Sequence, residues 1–127
     1  MNLNELVEYR RSRAWETFEA AKYLAEKGFW NASANRLYYA AFYGVNALLI
    51  KNQKCLSSHN GVKTEFHKIF VKTNLISRET GKIYNRLFNL RQEGDYVDFK
   101  RLTKDDVFPY IMETKSLLLE IDSLLNN

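Results

Sequence analysis

Leu90-Arg91-Gln92-Glu93-Gly94-Asp95-Tyr96 is the densest grouping of chemically capable side chains in the sequence. Arg91 falls on the inward stripe of a predicted helix, where a cation without a partner is costly. Asp95 lies one turn on, so an Arg91–Asp95 ion pair that closes the helix end is one account of the pattern. In the other account Arg91 contacts a phosphate while Tyr96 stacks on, or bonds to, a base. His59 follows two serines and opens a helix. It is either a capping or surface histidine or a proton-transfer group in a shared cleft, a task that imidazole performs well near neutral pH. Arg36 has the same duality: it ties helices together through Glu16 or Glu19, or it lines a cavity with Tyr39.

The segment that bears Arg36 is the most unusual of the chain. Residues 37–50 carry no charge and include three tyrosines and a phenylalanine. At about 100° per residue, Ala34, Leu37, Ala41, Val45 and Leu48 share one side of a helix. Asn35, Arg36, Tyr39, Tyr43 and Asn46 share the other. A second face that is aromatic and polar but nearly uncharged suits another helix, a second subunit or a ligand better than open solvent. Asn35, Tyr39, Tyr43 and Asn46 are therefore the expected interface of a homodimer, because a tyrosine ring packs while its hydroxyl bonds.

These residues need elements to position them, and the sequence supplies helices. Leu3, Val7, Arg10, Ala14, Phe18, Ala21 and Ala25 step by three and four, which predicts a helix over about residues 3–27 that ends at Gly28. The tyrosine-rich helix spans about 31–51. Ser57 or Ser58 caps a third helix that runs to about Val71. Ser77 opens a fourth, with Ile83, Leu87, Leu90 and Arg91 on one side and Gly94 at its end. Thr103 and Asp106 have capping-box spacing, and Val107, Ile111, Thr114, Leu118, Ile121 and Leu125 mark a last helix. Pro109 lies inside that pattern, so a kink or a start delayed to about Asp106 is expected. The fold class is all-α: an up-and-down bundle of about five helices in a single domain, residues 1–127.

Composition narrows the field. The chain has 127 residues, 46% of them hydrophobic, enough for a real core. One proline and five glycines argue against a β-sandwich. No apolar run is long enough to span a bilayer, the N-terminus does not read as a signal peptide, and Cys55 is the only cysteine, so a cytoplasmic protein without membrane contact is expected. Two histidines eight apart make a zinc site improbable, and no metal or other cofactor is expected. Glycine-rich phosphate loops and the Gly-x-Ser-x-Gly elbow are absent, which disfavours conventional enzyme classes. Charge is segregated: residues 51–104 carry a net +7 and residues 105–127 a net −4, within a total of +4. The basic middle either meets a polyanion or is a solvated lysine-rich surface.

Taken together, three stretches resemble the HEPN (higher eukaryotes and prokaryotes nucleotide-binding) domains: Ala32-Ser-Ala-Asn-Arg-Leu-Tyr-Tyr-Ala-Ala-Phe-Tyr43, Ser57-Ser-His-Asn-Gly-Val62, and Leu90 to Tyr96. The similarity is greatest to the small stand-alone prokaryotic branch and covers nearly the whole chain. The resemblance implies a helical bundle that dimerises. It also implies either a metal-independent RNase of toxin–antitoxin or anti-phage type, or an RNA- or nucleotide-binding module that works with a minimal nucleotidyltransferase. The family's ribonuclease signature is an Arg, usually followed by a polar residue, with a His after four to six intervening positions. Arg91 and Gln92 match its start, but Tyr96, Val97 and Asp98 stand where the His belongs. The expected function is therefore a binding or accessory module, with Arg36, Tyr39, Arg91 and Tyr96 on nucleic acid. Its alternatives are an endoribonuclease using Arg91, Asp95, Tyr96 and His59, and a structural dimer without ligand.

Overall fold

In the computed structural model, which describes residues 2–127, α1 (Leu3–Glu26) and α2 (Trp30–Lys51) form a long helical hairpin. Asn2 caps α1 by accepting from the Glu5 amide at 2.8 Å. Gly28 reverses the chain at φ +79°, a left-handed conformation that costs glycine little. Ser33 then fastens the hairpin, donating to the Ala21 carbonyl at 2.9 Å.

Helix α2 is the axis of the bundle. It touches α1, α4, α6 and the shorter helices, so it is buried on most sides. Residues such as Leu37, Ala41, Val45 and Leu48 are in the core, as their spacing predicts. Gly44 permits the approach of the last helix: a Cβ there would lie 3.0 Å from Leu118 Cδ2 and 3.2 Å from Ile121 Cδ1.

Ser58, one of the two serines expected to cap, starts α3 (His59–Phe66) by accepting from the Gly61 amide. The rod continues as a π-helical turn, His67–Val71, a wider winding that the spacing does not reveal. Ser77 caps α4 (Arg78–Tyr96), and Glu120 from the last helix accepts from both the Ser77 amide and the Thr80 hydroxyl at 2.6 Å. Gly94 does not end α4, contrary to expectation; the helix runs two residues further, with Val97 as its cap. Gly94 instead leaves room for a neighbour, since a Cβ there would meet Leu102 Cδ1 at 3.0 Å.

The Thr103–Asp106 capping box is formed, Asp included, and opens the one-turn α5 (Lys104–Val107). Pro109 breaks the rod there and becomes the first residue of α6 (Pro109–Leu125), a position where its missing N–H has no intrahelical partner to lose. The five expected rods are present, the fifth divided at its proline. No strand occurs among the described residues, and no helix among them is long and apolar enough to cross a membrane.

Candidate functional site

Arg91, near the end of α4, is 4% exposed. Three tyrosine rings surround its guanidinium, with Cζ 5.1 Å from the centroid of Tyr38, 5.3 Å from Tyr39 and 5.1 Å from Tyr96. Such ring faces attract a cation that has left water. Nη2 donates to the Tyr96 hydroxyl at 2.6 Å and, more weakly, to the Tyr39 hydroxyl at 3.4 Å. The Arg91–Asp95 ion pair is present, with Nε 3.4 Å from Oδ2, but it lacks hydrogen-bond geometry, and Nε is left without a hydrogen-bonded partner. Asp95 is held more firmly by α2, where Asn35 Nδ2 donates to Oδ2 at 2.8 Å.

His59 reaches the same place from the start of α3. Its Nδ1 lies 2.8 Å from the Tyr38 hydroxyl and its Nε2 3.4 Å from the Tyr39 hydroxyl. Both ring nitrogens have partners, so in a neutral ring one donates and the other accepts. Its ring also packs 4.9 Å from Phe42. Burial lowers the His59 pKa below the ordinary 6.5, and the nearby Arg91 charge lowers it further. Burial pushes the Tyr38 phenol up to about 12, so it stays protonated. The Tyr39 hydroxyl is the meeting point, within 3.4 Å of both Arg91 Nη2 and His59 Nε2.

Arg36 extends the cluster. Its Nε donates to Asn35 Oδ1 at 2.9 Å, and Cζ lies 5.0 Å from the Tyr39 ring centroid. It does not reach Glu16 or Glu19, because it lies along α2 instead of crossing to α1. One turn on, Arg13 of α1 stacks 5.0 Å from Tyr43 and donates weakly to its hydroxyl. Neither Arg13 nor Arg36 forms an ion pair among the described residues.

Three helices thus bring together Arg91, Asp95, Tyr96, His59, Arg36, Tyr39 and Asn35, as nominated from the sequence. Tyr43 adjoins them through Arg13. Asn46 does not join them: it is 7% exposed and donates to the Leu56 carbonyl, so it holds the loop after α2 and offers no free face. Sequence reasoning missed Tyr38 and Arg13. Tyr38 falls on the core side of α2, where its spacing is that of any packed aromatic. Nothing around Arg13 in the sequence marks its distant partner. Among the described residues, no three His, Cys, Asp or Glu side chains converge as a metal site.

The sequence profile of the HEPN domain matches residues 7–123. The chain belongs to the HEPN family. A UPF0332 protein of Thermotoga maritima is 38% identical over the whole chain and 97% of its own length. A protein of Methanocaldococcus jannaschii named "Putative toxin" is 35% identical over 74% of this HEPN chain and 61% of its own length. A UPF0332 protein of Archaeoglobus fulgidus is 23% identical over 94% of the chain and 95% of its own length.

Proposed function

We propose that the Arg91 cluster binds RNA or a nucleotide, and that this HEPN protein is an accessory or toxin-type component working beside a minimal nucleotidyltransferase. The observation that carries this reading is the tyrosine-caged Arg91, whose one carboxylate neighbour leaves Nε without a hydrogen bond. A guanidinium surrounded by aromatic rings keeps its full charge for an anion such as phosphate, which its fork of donors suits. Tyr96 as a residue is 64% exposed, a surface that a base could cover. Arg36 and Arg13 continue the positive charge along α2. The relative named as a toxin supports the toxin-type role.

The test is titration of a fluorescent oligouridylate at roughly 50 and 200 mM salt. Binding at low salt that weakens steeply is expected, because neutralised phosphates release counterions. No binding at low salt would remove the proposal.

One observation favours a second reading, a metal-independent endoribonuclease. His59 and Arg91 both approach the Tyr39 hydroxyl at 3.4 Å, which supports a role for His59 as the proton-transfer group missing after Arg91. In the tautomer that donates from Nδ1 to Tyr38, Nε2 is the basic nitrogen. It would take the 2′-hydroxyl proton as that oxygen attacks phosphorus, closing a 2′,3′-cyclic phosphate while the 5′-oxygen leaves as a hydroxyl with a proton from water, and Arg91 would stabilise the charge on the phosphate. Cleavage of single-stranded RNA in EDTA, abolished in both His59→Ala and Arg91→Ala, is the outcome that would put this reading first.

A further inference from the structure

A separate feature lies between α1 and the α5–α6 rod. A cavity of about 510 Å³ opens there, with Phe18, Trp30, Ile111 and Met112 forming much of its wall. Neither Arg91 nor His59 lines it. Its rim carries Lys22 from α1, Lys104 from α5 and Lys115 from α6, against one acid, Glu26. Lys22 pairs with Glu19 at 3.3 Å, but Lys104 and Lys115 form no ion pair among the described residues. A second cavity shares Gly28 and Trp30 with the first and adds Phe99, Lys100 and Arg101, so the cationic surface continues past the hairpin turn. Large apolar groups stand open to solvent here: Met112 is 66% exposed, and Phe108 is exposed beside it. Exposed apolar surface rimmed by charge marks interaction sites, and methionine adapts to what covers it.

We propose that this groove docks an acidic amphipathic helix of a partner protein. A cleft between two helices with an apolar wall matches a helix laid in by residues spaced i, i+3 or i+4, and i+7. Lys104 and Lys115, on the α5–α6 side, would meet carboxylates on the facing flank of that apolar stripe, which sets the sign of the partner's charge there. RNA fits less well, since bases would stack on the aromatic rings but leave the aliphatic Ile111 and Met112 without an apolar partner. This inference stands independently of the Arg91 site.

Trp30 reports from the cavity. Trp15, the other tryptophan, is tied to Asp122 at 3.0 Å, so Trp15→Phe isolates the signal. Calorimetry on the wild-type protein measures the same binding without any substitution. The probes are a helical peptide with leucines on one stripe and glutamates on its flanks, the same peptide with lysines, a scrambled acidic peptide, and oligouridylate. The acidic helix is expected to shift Trp30 fluorescence and to bind at least about tenfold more tightly than the lysine and scrambled versions. The double reversal Lys104→Glu with Lys115→Glu should reverse that preference, with helicity by circular dichroism unchanged. Equal or absent binding of the peptides up to about 1 mM, a range in which even weak complexes form, would overturn the proposal. So would a Trp30 response to oligouridylate alone, or self-association that buries Trp30.

Discussion

Arg91 and His59 are coupled through one phenol, and each should register the other's loss. Arg91→Lys retains the charge but loses the planar fork that reaches Tyr96 and Tyr39. Its fold should persist while affinity for oligouridylate falls about tenfold, the scale of one lost charged hydrogen bond. A large drop in melting temperature with unchanged affinity would assign Arg91 to structure alone. His59 supplies a pH test. Burial and then Arg91 hold its folded pKa below 6.5. The unfolded chain therefore binds that proton more readily. Stability contributed by the neutral imidazole is present above about pH 6.5 and declines as pH falls toward the lower folded value. NMR titration of the imidazole Cε1–H should give a midpoint below 6.5 in the wild type and a higher one in Arg91→Ala. A midpoint that ignores the substitution would mean that the Arg91 charge does not reach His59. Both residues stood out in the sequence because a cation on an apolar stripe and a histidine behind two serines break local pattern. Their meeting did not, because 32 positions separate them and only the packing of α3 and α4 on α2 closes the gap.

At the scale of elements, the loop from α4 to α5 depends on one side chain from the start of α2. Asn31 Nδ2 donates to the Gly94 and Lys100 carbonyls at 3.0 Å, and its Oδ1 accepts from the Leu102 amide at 2.8 Å. This segment holds Phe99 at φ +63°, a left-handed conformation that such a side chain adopts only when its surroundings impose it. Asn31→Ala leaves three backbone groups to find water or strain, at about 1–3 kcal/mol. Since the same loop follows Tyr96, oligouridylate affinity should fall as well; thermal unfolding and titration on one preparation check both. Unchanged stability would mean that water replaces the asparagine at no cost. The caps at Ser58, Ser77 and Thr103 were legible because capping chemistry is local. Gly94 misled for a physical reason. A glycine ends a helix by turning left-handed, as Gly28 does, but Gly94 stays within α4 and serves instead the packing of Leu102. The π-helical turn was illegible because no local residue pattern marks that winding; Gly81 of α4 leaves room for it, since a Cβ there would lie 2.9 Å from Val71 Cγ1.

For the whole molecule, the open question is what meets the outer face of α2. The monomer already engages much of it: Asn35 holds Asp95, Arg36 covers Tyr39, and Arg13 covers Tyr43. Asn46 is consumed by the loop after α2. The face is thus less bare than its spacing suggested, because neighbouring helices supply side chains that the sequence of α2 cannot show. What remains is a row of two arginines, Arg13 over Tyr43 and Arg36 over Tyr39, each about 5.0 Å from the ring centroid and without a paired carboxylate among the described residues. Arginine and tyrosine are enriched at protein interfaces, and stacked guanidinium groups lose little freedom on association. A homodimer through this row would set two Arg91 clusters near each other and leave the groove at α1 and α6 free for a different partner. Light scattering at micromolar concentration should then report about twice the 15.0 kDa of one chain. Tyr43→Glu places a carboxylate under Arg13 within the same chain and removes the packing ring, so the variant should run as a monomer with its helicity intact. A wild-type protein that remains monomeric at tens of micromolar would exclude the dimer. A dimer indifferent to Tyr43→Glu would move the interface elsewhere, with the exposed apolar side chains of α6 the next surface to substitute.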